Sequence, residues 1–158
     1  MVTTTAWLDD EEMRAWMAFL HASTRLMERL DAELEGHGLS LADYEILVHL
    51  SDEPAGELRM TELAARTLVS RSGLTRRLDR LVESGLVARR SCATDRRGVL
   101  AVLTPAGRQR LEEAAPTHVE GVRRHFLDQL QGQDLRSLAD CLNAVVASSE
   151  RAAEAAPL

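Results

Sequence analysis

At Gly85 the apolar residues of this chain switch from a helical spacing to an extended one. Upstream, Leu74, Leu78 and Leu81 recur at intervals of three and four, so a helix from Ser70 to Gly85 is apolar on one side and polar on the other. Downstream, Leu86 to Cys92 and Val99 to Leu103 read as short strands around a six-residue loop, Ala93 to Gly98, fit for a β-hairpin. Gly85 itself stands where a helix takes a left-handed C-terminal cap.

The flanking segments complete the pattern. Residues 11–35 carry Met13, Trp16, Met17, Leu20, Met27, Leu30 and Leu34 at helical spacing, and Gly36-His-Gly38 ends that run. Ser40 is suited to cap a second helix with Leu41, Tyr44, Leu47 and Val48 as its stripe, stopping near Pro54, and Thr61 to cap a third, short one through Thr67. Thr104-Pro-Ala-Gly restarts a helix after the hairpin, expected to run past a kink at Pro116 to Leu130. After Gly132 a final Ala-rich helix carries Leu135, Leu138, Leu142, Val145 and Val146. Four helices, a hairpin and two further helices define a mainly α chain with a small β-hairpin wing, a winged helix-turn-helix flanked by N- and C-terminal helices. The expected organisation is one intertwined unit: a dimerisation helix over 1–38, the winged domain over 39–107 and dimerisation helices over 108–158. Residues 13–34 and 135–146 hold more apolar surface than the small winged domain covers, which calls for a second copy.

The charge distribution points to a polyanion. The chain carries −6 overall, yet residues 66–110 hold eleven arginines against Asp79, Glu83 and Asp95, a local +8 that leaves −14 elsewhere. Such asymmetry is a nucleic-acid footprint, although a solvated arginine face looks the same by charge alone, and all nineteen basic residues being Arg is also what an Arg-rich proteome produces.

On the helix from Ser70, the side opposite the leucines presents Ser72, Thr75 and Arg76 near its N-terminal end. That end is the part of a recognition helix that enters the major groove, and Arg76 is suited to a bidentate contact with guanine. Arg71, Arg77 and Arg80 flank this side and are expected on phosphates, while Ser70, as the cap, leaves backbone N–H groups and the positive dipole end for the DNA backbone. An ordinary surface helix with Arg76 paired to Asp79 fits the same spacing but leaves the hairpin behind it unexplained. Asp79 and Glu83, which a groove repels, belong outside the contact zone. At the hairpin tip, Thr94-Asp95-Arg96-Arg97-Gly98 sets an acid beside two arginines, suited to orient a guanidinium into the minor groove; a solvated turn with an incidental ion pair is the alternative.

Leu63-Ala, Ser70 through Leu81, Gly85-Leu-Val, Asp95-x-Arg97 and Leu103-Thr-Pro-Ala-Gly107 occur in the order shown by the MarR family of transcription regulators, which the chain resembles from about residue 39 to 107. The resemblance implies a homodimer whose terminal helices interlock and set two recognition helices one DNA turn apart, about 34 Å, on a pseudo-palindromic double-stranded operator. It also implies Arg97 as the minor-groove arginine with Asp95 as its orienting partner. It further implies a repressor released by a small aromatic or phenolic effector bound between the dimer helices and the DNA-binding lobe. Arg14, Trp16, His21 and Tyr44 are the candidates for that pocket, although Trp16 and Tyr44 also fit a core and Arg14 a solvated surface.

Other chemistries are less well supported. Cys92 and Cys141 stand far apart without His or Cys at ligand spacing, so free thiols are expected; Cys92 beside Arg89 and Arg90 is the candidate for a redox-sensing alternative, against a plain strand residue. His118 and His125 share a helical face, but no carboxylate or thiol at ligand spacing accompanies them and no metal is expected. No cofactor motif is present, and the chain has neither a glycine-rich phosphate loop nor a nucleophile elbow, since Ser70-Arg-Ser-Gly73 lacks the glycine two before the serine. An enzyme is therefore not expected. A winged-helix protein-interaction module is a further alternative, one that needs no arginines on the recognition face. With no run long enough to span a bilayer and no signal-peptide order, a cytoplasmic protein that does not enter the membrane is expected.

Overall fold

The computed structural model describes residues 6–67, 71–92 and 95–155; the side chains of Arg71, Cys92, Asp95, Arg96, Arg97 and residues 149–155 lie outside the described set, as does Ser70. Along the described chain run α1 (Asp10–Leu34), α2 (Leu41–Asp52), β1 (Glu57–Arg59), α3 (Met60–Arg66), α4 (Arg71–Glu83), β2 (Val87–Cys92), β3 (Asp95–Leu103), α5 (Pro105–His125) and α6 (Leu135–Ala155), with single 3-10 turns at Glu35–His37 and Leu127–Leu130. The expected mainly α winged helix-turn-helix is the fold observed.

Leucine does the packing that scarce aromatics leave undone. Leu34, Leu39, Ile46, Leu47, Leu50, Leu58, Leu63, Leu74, Leu78, Leu81, Leu86 and Leu111 belong to one buried cluster where α2, α3, α4, α5 and the sheet meet. Ser40 caps α2 in a reciprocal box with Asp43: the Asp43 N–H donates to Ser40 Oγ at 3.1 Å and the Ser40 N–H to Asp43 Oδ2 at 3.2 Å. Gly85, at φ 74°, ends α4 with the two bonds of a Schellman cap, Leu86 N–H to Leu81 C=O at 2.9 Å and Gly85 N–H to Val82 C=O at 3.0 Å.

The same corner receives the start of α5. Thr104 Oγ1 accepts from the Gly107 N–H at 3.0 Å and lies 2.7 and 3.0 Å from the carbonyls of Gly85 and Leu86. A Cβ built on Gly107 meets the Leu86 carbonyl oxygen at 2.0 Å, so only glycine permits this approach of α5 to the end of α4.

Several boundaries differ from the sequence reading. Strand β1 was not expected; it is three residues long and exists by pairing Glu57, Leu58 and Arg59 with Val102, Ala101 and Leu100, giving the antiparallel order β1-β3-β2. The expected loop from Ala93 to Gly98 is shorter, because β3 already begins at Asp95, opposite Cys92, after an irregularity at Ser91/Cys92. A two-stranded ribbon pairs through its backbone and needs no apolar residues to extend into its tip. Helix α3 starts at Met60, one residue before Thr61, with the Arg59 N–H bonded to the Glu62 carboxylate at 3.2 Å. Helix α5 passes through Pro116 but ends at His125, where Phe126 leaves helical geometry at φ −123° and ψ −65°.

The two ends of the chain contribute least to the core. Residues 10–19 of α1 are exposed throughout, and no residue from 135 to 148 in α6 is buried.

Candidate nucleic-acid interface

Burial of Leu74, Leu78 and Leu81 fixes the roll of α4 and leaves Ser72, Thr75 and Arg76 exposed on its far side, as the helical spacing requires. Gly73, Arg76, Arg77, Asp79 and Arg80 line a shallow depression of about 520 Å³ there.

The basic residues around that face divide sharply. Arg77, expected on phosphate, is instead turned toward α2: its Nη1 donates to Ser40 Oγ at 2.7 Å and lies 3.5 Å from Asp43 Oδ1. The buried Asp43 carboxylate draws it inward, and Arg80, exposed as expected, reaches the same oxygen at 3.8 Å. Asp79 pairs with Arg89 of β2 at 2.7 Å rather than with Arg76, which ties α4 to the sheet and keeps that carboxylate from opposing an anion. Arg90 pairs with Glu57 across the sheet, and Arg66 with Glu53 at 2.5 Å. Of the arginines of the +8 segment whose side chains are described, Arg76 on α4 and Arg108 on α5 have no ion pair among the described residues, and Arg108 donates to Ser51 Oγ at 3.4 Å. Ser70 and the side chains of Arg71, Asp95, Arg96 and Arg97 lie outside the described residues; the backbone of Asp95 to Arg97 forms the start of β3, at the tip of the wing.

Helices α1, α2 and α5 line a second cavity, apolar and open to solvent, of about 810 Å³, with Met27, Leu30, Tyr44, Val48, His118 and Val122 among its walls, together with Phe126 at the end of α5. Of the four residues expected in a ligand pocket only Tyr44 lines it. Arg14, Trp16 and His21 lie on the exposed N-terminal part of α1, with Trp16 stacked on Phe19 at 6.2 Å between ring centroids. At about 1.5 Å of rise per residue, Trp16 stands roughly 16 Å along the axis from Met27, so one copy of α1 cannot bring both to one cavity. Sequence reasoning missed His118 and Val122, four residues apart on one stripe of α5, and Phe126, which follows the end of that helix.

The His118 and Tyr44 rings lie 4.5 Å apart, tilted by 37°, and among the described residues the buried Nδ1 of His118 has no hydrogen-bond partner. Burial lowers its pKa, opposed in part by the Glu33 carboxylate, and burial raises that of Tyr44. Since the folded state holds His118 neutral below the pH at which the unfolded chain protonates it, this histidine's contribution to stability is intact above about pH 6.5 and is lost as pH falls below it. His118→Phe, which keeps the ring against Tyr44, is expected to flatten the decline of melting temperature between pH 7 and 5; an unchanged decline contradicts this. His125 is engaged elsewhere, with Nε2 at 2.7 Å from Glu33 Oε1. Cys141 is an exposed free thiol.

A buried-leucine recognition helix, a three-stranded wing and apolar terminal helices define a winged helix-turn-helix regulator, and the comparisons agree. Residues 37–98 match the sequence profile of the MarR family. AbsC, a MarR family transcriptional regulator from Streptomyces coelicolor, is 40% identical, superimposes with a TM-score of 0.87, and the alignment covers 92% of this chain and 99% of that one. Sco3205, a MarR family regulator of the same organism solved in complex with DNA, is 36% identical at a TM-score of 0.86, with 90% of each chain covered. The transcriptional repressor YetL of Bacillus subtilis is 29% identical over 140 residues, 87% of this chain and 84% of that one. The chain belongs to the MarR family. It is a transcriptional regulator and not an enzyme, and among the described residues no helix is long and apolar enough to cross a membrane.

Proposed function

We propose that the protein is a homodimeric repressor that reads a pseudo-palindromic double-stranded operator and releases it when a small molecule occupies the cavity between α1, α2 and α5. The observation that carries the DNA reading is the exposed Ser72, Thr75 and Arg76 face, where Arg76 has no ion pair among the described residues. The DNA complex of Sco3205 supports it at 36% identity. In this reading Ser72, Thr75 and Arg76 meet base edges, Arg71, Arg80 and the dipole end of α4 at Ser70 meet phosphates, and the wing arginines Arg96 and Arg97, with Asp95, approach the minor groove. Arg77 acts from behind, holding α4 to α2. A chromosomal target carries with it a cytoplasmic location.

The dimer reading rests on apolar side chains left on helices that bury little. Trp16 and Phe19 on α1 are 49% and 46% exposed, and Val145 and Val146 on α6 are 59% and 56% exposed. Contiguous apolar surface on terminal helices of this kind marks an interface. We propose that segments 1–38 and 108–158 interlock with those of a second copy around two winged domains spanning 39–107. Light scattering is expected to give twice the 17.5 kDa chain mass. Leu142→Glu with Val146→Glu is expected to return the mass of one chain. Selection from a randomised duplex library by the purified protein is expected to return a two-fold-symmetric site with half-sites about ten base pairs apart; a single chain on an asymmetric site, or no enriched sequence, contradicts this account.

A further inference from the structure

The first two turns of α2 stand between the cavity and the recognition helix. Their residues divide by helical period: Leu41, Tyr44, Glu45 and Val48 line the cavity, whereas Ser40 and Asp43 face α4. Both oxygens of Asp43 are used. Oδ2 accepts from Ser40 Oγ at 2.5 Å and closes the cap of α2, while Oδ1 faces Arg77 at 3.5 Å and Arg80 at 3.8 Å. On the cavity side, Asp31 of α1, itself a lining residue, takes the Leu41 N–H at 2.7 Å, and Tyr44 rests on His118 of α5.

A buried carboxylate separated from its cations is costly, so when this part of α2 shifts, Arg77 and Arg80 are held to follow it. We propose that Asp43 is a positioning residue that sets the seat of α4 according to whether the cavity is filled. The proposal rests on the reading of α4 as the DNA-contacting helix and of the cavity as the effector site. A body that wedges α2 away from α5 carries Asp43 with it and pulls the Ser72, Thr75 and Arg76 face out of register with the groove. Coupling between sites through a two-position element is commonly worth about 5- to 150-fold in affinity.

The test needs no ligand. The wedge is built into the protein as Val122→Trp, which fills the cavity from α5, with Val48→Phe as a second wedge should the first not fold. The link is cut by Asp43→Asn or, leaving the cap of α2 intact, by Arg77→Gln. Each protein is checked by its melting curve. Affinity is then measured for the duplex selected by the wild-type protein and for a scrambled duplex of equal length.

In the otherwise wild-type background the wedge is expected to weaken the selected duplex about tenfold and the scrambled one little. Cutting the link is expected to lower the ratio of selected to scrambled affinity, and adding the wedge to a cut protein to change binding by less than about twofold, a non-additivity that a merely structural Asp43 does not produce. If the two losses multiply, or if the wedge leaves affinity unchanged with the link intact, Asp43 does not transmit the state of the cavity. If the wild-type protein itself shows no preference for any duplex, it is the DNA reading that has failed.

Discussion

Arg76→Ala is expected to weaken the selected operator by at least about thirtyfold while changing affinity for random duplex only a few-fold. A bidentate arginine–guanine contact is worth about 1–3 kcal/mol, and the proposed symmetric dimer makes it twice, so the loss is about 2–6 kcal/mol, or roughly 30- to 10⁴-fold. Arg76 is the residue to test because its neighbours are already engaged: Arg77 with Ser40 and Asp43, Arg89 with Asp79, and Arg90 with Glu57. Alanine at Arg89 or Arg90 removes an exposed ion pair worth about 0–1 kcal/mol and is expected to move operator affinity only a few-fold. Arg97→Ala combined with Arg76→Ala is expected to remove sequence preference altogether. An Arg76→Ala protein that keeps the wild-type ratio of specific to non-specific binding contradicts the assignment of α4.

Gly107→Ala carries the largest expected effect on stability. Alanine in a helix ordinarily gains up to about 1 kcal/mol over glycine. Here the added methyl group lands 2.0 Å from the Leu86 carbonyl oxygen and 2.9 Å from Leu103 Cδ1. The obstacle is backbone, and it cannot retreat cheaply, because the Thr104 N–H and Oγ1 both hold that same carbonyl, at 3.1 and 3.0 Å. Relief requires loosening the bonds that join α5 to the end of α4, so the net change is expected to be a loss of about 3 kcal/mol or more, at the upper end of overpacking costs. For a chain of this length that is a fall of roughly 6–12 °C in melting temperature, read at fixed protein concentration because a dimer's stability depends on it. Gly36→Ala is the control, since nothing lies within 4 Å of its Cβ position, and it is expected to be neutral or slightly stabilising. A Gly107→Ala protein that melts with the wild type removes the tight corner from this account.

What was legible in the chain was local. Leu74, Leu78 and Leu81 declare their buried side through spacing alone, and the exposure of Ser72, Thr75 and Arg76 follows from it without knowledge of what covers the leucines. Gly85 and Thr104-Pro-Ala-Gly107 mark a stop and a start because those residue types satisfy orphaned backbone groups in few other ways. What was hidden was non-local. Strand β1 is too short to have a period and is held by its partner more than forty residues on, at Leu100 to Val102. Arg77 reads as a solvent-facing arginine until Asp43, 34 residues away, is brought beside it. The cavity takes its walls from three helices, so Tyr44 is found among its lining residues from the sequence while His118, Val122 and Phe126 are not, and Arg14, Trp16 and His21 of the first half of α1 do not line it.

The central claim, that a dimer of this acidic chain holds duplex DNA through a small basic face, is tested most directly by operator affinity across a salt series. Each phosphate neutralised adds about −0.9 to the slope of log affinity against log salt, so two copies of α4 and its wing are expected to give a slope of about −5 or steeper, reduced by about 2 in Arg76→Ala only if Arg76 meets phosphate and little changed if it meets a base. Specific binding with a steep slope, tighter for the selected site than for scrambled duplex at every salt concentration, is the predicted result. Affinity that is independent of salt, or identical for the two duplexes, contradicts it.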